Sequence, residues 1–131
     1  MTTTRKFRCL PEAVTAARLY VRDLLSGQPL EVVQAAELLT SELAANSVRH
    51  ACSEFEVAID SRDPIRIEVS DNCKGHPRVL NPPPRNPTGR GLQIVERVSD
   101  SWGIRPTANG KTVWFTLSPV RVQRSVQRET A

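Results

Sequence analysis

Residues 37–51 read ELLTSELAANSVRHA, and the polar side chains inside this stretch decide how the chain is read. With EVVQAA ahead of it, the stretch repeats apolar residues at helical spacing, so a helix opened by Pro29 is predicted to run to about residue 51. Residues four apart share a helix face, which puts Glu42 beneath Asn46 and His50 one turn later. At about 100° per residue, Glu42 and Asn46 also project between Leu39 and Leu43, on the apolar side. A buried polar group left unpaired costs roughly 1–3 kcal/mol, so two together point to something polar opposite them. On the helix alone, a core asparagine bonded to backbone and a glutamate at the helix edge explain the pattern equally well.

On the N-terminal side, residues 4–9 can form a strand, and Pro11 suits the first turn of a helix because its missing N–H needs no partner there. Val14, Ala17, Val21, Leu24 and Leu25 repeat along that helix, and Gly27 stops it. On the C-terminal side, Phe55, Val57 and Ile59 alternate with polar residues, SRDP turns the chain, and Ile65, Ile67 and Val69 alternate again. This predicts a β-hairpin. A proline-rich, aperiodic stretch follows, with a lid expected at about 77–88. Leu92, Val95 and Val98 then share one helical face, with Gly89 and Gly91 at its entrance. WGIRPT, an Asn109-Gly110 turn, and the alternating Val113, Phe115 and Leu117 predict a closing hairpin. The order β-α-α-β-β-lid-α-β-β implies an α+β fold, a two-layer sandwich of helices on a mixed, mainly antiparallel sheet. One domain over 1–118 and a basic flexible tail over 119–131 are expected.

A chain of 131 residues can bury one core without staples. Its three cysteines, Cys9, Cys52 and Cys73, show no paired spacing, which argues against a disulfide framework or zinc site and suits the cytoplasm. No apolar run approaches the roughly 18 residues that cross a bilayer, and MTTTRKFRCL lacks a signal-peptide core. The net charge of +4 invites a nucleic-acid reading. However, the basic residues are scattered, and the aromatics are not interleaved with them as stacking platforms would be.

Three further features carry chemistry. Asp71 ends an alternating strand and opens a turn with Asn72 and Gly75; alone it is a turn residue, and in a pocket its carboxylate could accept from an exocyclic amine. Gly89, Arg90 and Gly91 enter a helix whose unpaired N-terminal amides suit phosphate. No GxxxxGK[ST] occurs, and the Gly89 segment follows a loop rather than a strand, which argues against a P-loop or dinucleotide fold. His50 beside Cys52 lacks the second pair a zinc site needs.

Taken in order, ELLTSELAANSVRHA, EVSDNCKGHP, GRGLQIVERVSDSWGI and GKTVWFTL resemble the N, G1, G2 and final-strand motifs of one ATPase superfamily. That superfamily comprises gyrase, heat-shock chaperones, histidine kinases and MutL, and has the Bergerat ATP-binding fold. Within it the chain is most similar to the small bacterial anti-sigma-factor serine/threonine kinases, over about residues 5–118. The resemblance implies ATP and Mg²⁺ as cofactors, with Asn46 as magnesium ligand and Glu42 as the general base for a serine or threonine hydroxyl. It assigns Asp71 to adenine, Gly75 to the turn beneath the base, and Thr112 to adenine through water. Gly89, Arg90, Gly91 and Leu92 fall in the phosphate loop, and Arg49 and His50 where the helix nears the phosphates. Arg85 is a further candidate phosphate contact.

The chain departs from the family's Asp-x-Gly-x-Gly pattern at Cys73, where a glycine is usual; a positive φ there would strain cysteine or reshape the loop. No helical dimerisation and phosphoacceptor segment precedes the ATPase part, so a stand-alone regulator is expected. Its implied partners are an anti-anti-sigma-like protein and a sigma factor, with room for a homodimer and no membrane contact. A non-catalytic switch, ordered by ATP to bind a partner, is the alternative. A basic nucleic-acid-binding regulator is a third reading, for which the sequence offers no recognition helix.

Overall fold

The computed structural model describes residues 2–50, 53–72 and 87–119, and of residues 87–91 the backbone alone. The elements run β1 (Thr2–Arg8), α1 (Pro11–Leu24), α2 (Leu30–Arg49), β2 (Glu54–Asp60), β3 (Ile65–Asp71), α3 (Pro87–Val98), β4 (Ser101–Pro106) and β5 (Lys111–Leu117). Pro11 opens α1 in the position where a missing N–H costs nothing. Between α1 and α2 the chain turns at Gly27, whose φ of 95° is a left-handed conformation that side chains resist. The two helices are then tied by Glu37, which accepts from Arg22 Nη2 at 2.8 Å and from Arg18 Nη1 at 3.2 Å.

Strand order is β1-β2-β3-β5-β4. Two helices in series bring the chain back so that β2 lies antiparallel to β1. Among the described residues α3 lies between β3 and β4; these two strands point the same way, because β5 lies between them and is antiparallel to both. This is the α+β two-layer sandwich expected from the sequence, with one difference. Every described strand pairing is antiparallel, and no parallel pair makes the sheet mixed.

Register explains the core. Val57, Val69 and Val113 form one row across the sheet, and Ile59, Ile67 and Phe115 the next. All are buried, because strand alternation aims them at the helices. Val21, Val32, Ala36, Leu39 and Leu43 meet them from α1 and α2, and Val95 from α3. The opposite face carries Glu68, Trp114 and Arg66, whose guanidinium lies 4.2 Å over the Trp114 ring.

Two boundaries differ from expectation. The first strand reaches back to Thr2 because β2 is long enough to pair with it at Asp60. The third helix begins at Pro87 rather than after Gly91, so Gly89 and Gly91 lie within its first turns. Proline's fixed φ is suited to that first position. Of the expected lid, residues 77–86 lie outside the described residues, as do 120–131 of the tail.

Candidate functional site

The last turns of α2 present polar groups to the sheet. Asn46 is only 6% exposed, and its Oδ1 accepts from Arg49 Nη1 at 3.0 Å. Ser47, also buried, has Oγ 3.3 Å from the Leu43 carbonyl and 3.4 Å from Asp71 Oδ2. Glu42 is half-buried rather than fully inward. Four residues advance a helix by about 400°, so the residue one turn back is rotated about 40° toward the edge. Arg49 itself is exposed, and His50 is half-buried at the end of the helix.

Asp71 closes β3 directly opposite this turn. Register pairs it with Lys111, the first residue of β5, and Lys111 Nζ donates to Asp71 Oδ2 at 2.8 Å. The strand end is pinned by Asn72, whose Oδ1 accepts from the Glu54 amide at 3.2 Å and whose Nδ2 donates to Ser53 Oγ at 2.6 Å. Gly110 packs so tightly on this end that an added Cβ would meet the Asp71 carbonyl carbon at 2.8 Å. Close approach, rather than a positive φ, is what requires glycine there. Burial first and the Lys111 ammonium next hold the His50 imidazole below its usual 6.5; Asp71 pulls the other way, and Arg49 adds a smaller push downward.

These features bring one polar turn of α2 onto a carboxylate at the end of the central strand. A model of the histidine kinase-like ATPase domain matches residues 7–117, from the buried Phe7 of β1 to the last residue of β5. The chain belongs to the histidine kinase-like ATPase domain family. No individually curated protein matches it.

As a histidine kinase-like ATPase domain the chain is an ATP-binding domain, and its residues can be compared with what the sequence suggested. His50 and Asp71 are brought together, with Asn46 on the same turn of α2 bonded to Arg49, Glu42 at the margin and Arg49 on the rim. Thr112 is not. Strand parity turns its side chain to the opposite face, where Oγ1 lies 2.8 Å from Ser70 Oγ. Lys111 is the residue on the inner face. Leu92 is half-buried against the core, the backbone of Gly89, Arg90 and Gly91 lies in α3, and Gly75, Cys73 and Arg85 lie outside the described residues.

Ser47 and Lys111 were not singled out from the sequence, although both signals were there. Ser47 follows Asn46 one turn after the core residue Leu43, and Lys111 is in phase with Val113, Phe115 and Leu117.

Among the described residues there is no group of three or more His, Cys, Asp or Glu that could hold a metal. Mg²⁺ usually keeps several waters and binds through few protein oxygens plus substrate phosphates. Asn46 Oδ1 is a hard oxygen of the required kind, and exposed Arg49 has room to release it. Among the described residues, no helix is long and apolar enough to cross a membrane.

Proposed function

We propose that the ATP site of this domain lies between the end of α2 and the end of β3, and that the protein is a cytoplasmic serine/threonine kinase of the anti-sigma-factor type. Its substrate would be an anti-anti-sigma-like protein, and its regulatory target a sigma factor. The observation that carries the reading is the meeting of α2 and β3 where Ser47, the neighbour of buried Asn46, has its Oγ 3.4 Å from the Asp71 carboxylate.

In this reading Asp71 accepts from the adenine amine, and the amides in the first turn of α3 face the phosphates. Asn46 would hold magnesium, which when bound neutralises charge on phosphate oxygens. Glu42, half-buried at the margin one turn from Asn46, is the acceptor for the proton of an incoming serine or threonine hydroxyl. The γ-phosphoryl group passes to that hydroxyl oxygen, the proton to Glu42, and ADP leaves.

The test is transfer of labelled phosphate from ATP to an anti-anti-sigma-like protein in the presence of magnesium. Transfer should be lost by at least about a hundredfold in Glu42→Gln, in keeping with a general base. Undiminished transfer in that variant would remove Glu42 from the role. Nucleotide binding without transfer would favour a switch ordered by ATP.

A further inference from the structure

One row of the sheet on its helix-facing side reads Phe7, Phe55, Asp71, Lys111. Phe7 and Phe55 stack at 5.2 Å, and the row then turns from apolar to ionic in a single strand spacing. The Lys111 and Asp71 side chains are 10% and 3% exposed, with Nζ and Oδ2 2.8 Å apart. A buried ion pair is a poor source of stability, since apolar residues of similar volume generally serve as well or better. Something other than folding therefore accounts better for its presence beside Ser47 and His50.

The pair is also fixed in place. Gly110 presses against the backbone of Asp71 and Asn72, so the first residue of β5 is held hard against the last residue of β3. A carboxylate offers only acceptors, while an ammonium carries three donors, of which the bond to Asp71 uses one. Adenine presents the matching pattern, an amine donor at N6 beside a ring-nitrogen acceptor. Asp71 can read the amine but not the ring nitrogen. A donor is needed for that, and Thr112 points to the other face.

We propose that Lys111 is a second base-reading residue, donating to the adenine ring nitrogen next to the amine that Asp71 accepts. The proposal rests on the ATP site placed at Asp71 above. It makes Lys111 a specificity-determining residue, one that recognises purines carrying an acceptor beside a donor.

The experiment compares ATP with 1-deaza-ATP and 7-deaza-ATP, in which N1 or N7 is replaced by C–H, by calorimetry on the full chain. Wild type should bind one of the two analogues about tenfold more weakly than ATP, the loss expected for a hydrogen bond to a charged donor. Lys111→Met, with its fold checked by circular dichroism, should bind ATP and that analogue equally. Equal affinity of wild type for ATP and both analogues overturns the proposal without recourse to any variant. A preference that survives in Lys111→Met overturns it as well. Failure of wild type to bind ATP at all is a different outcome, which refutes the nucleotide site itself and this proposal with it.

Discussion

Replacing Lys111 with methionine removes the ammonium from beside Asp71 and leaves a carboxylate whose side chain is 3% exposed. Breaking a buried pair from one side costs about 3–5 kcal/mol. The lower end, about 3 kcal/mol, applies here because Ser47 Oγ still offers a donor 3.4 Å away. Asp71→Leu should cost less, since the lysine stem lets its ammonium reach water. The double variant Asp71→Leu/Lys111→Met continues the apolar row of Phe7 and Phe55, and should lie within about 1 kcal/mol of wild type or above it. The two changes should thus show a coupling of at least about 2 kcal/mol. Urea unfolding followed by the fluorescence of Trp102 and Trp114 measures all four proteins. The reasoning is refuted if the double variant is as unstable as the sum of the singles, or if Lys111→Met costs nothing. The double variant should also lose ATP binding while remaining folded, which separates the pair's functional role from its structural one.

Gly110→Ala should lower stability by about 1–3 kcal/mol and weaken ATP binding, because its Cβ meets backbone of Asp71 and Asn72 that cannot yield without moving β5. Gly27→Ala meets nothing within 4 Å but keeps φ at 95°, so it should cost about 1–2 kcal/mol and leave ATP affinity unchanged. Thermal unfolding and ATP titration of the two variants distinguish crowding from conformational strain. His50 should titrate below 6.5 by NMR, and its value should rise in Lys111→Met, where one of the charges depressing it is gone. The unfolded chain binds that proton more readily than the fold, so stability is lost as pH falls from 6.5 through the folded value. Denaturation of His50→Gln across that range should lack this component.

Much of the fold was legible because its elements obey local rules. Phe55, Val57 and Ile59 alternate as a half-buried strand must, and α2 shows its apolar face in Val32, Val33, Ala36 and Leu39. The insertion of β5 between β3 and β4 was not legible. It depends on pairing between distant segments, which no local pattern encodes, and it is what makes every pairing antiparallel. Asn46 and Asp71 stood out as polar residues at core-facing or strand-end positions. Lys111 did not, because a lysine after an Asn-Gly turn ordinarily marks where a strand meets solvent. Parity carried back from Val113 places it inside, and the same parity turns Thr112 to the other face. Gly110 was read as a turn former, whereas its lack of a side chain serves the contact with Asp71.

Calorimetric titration of ATP, with and without magnesium, into wild type, Asn46→Ala and Asp71→Ala addresses the site most directly. The account predicts that magnesium tightens ATP binding to wild type by about tenfold or more, that Asn46→Ala loses most of that gain, and that Asp71→Ala weakens binding whether or not magnesium is present. Unchanged ATP affinity in both variants would contradict it.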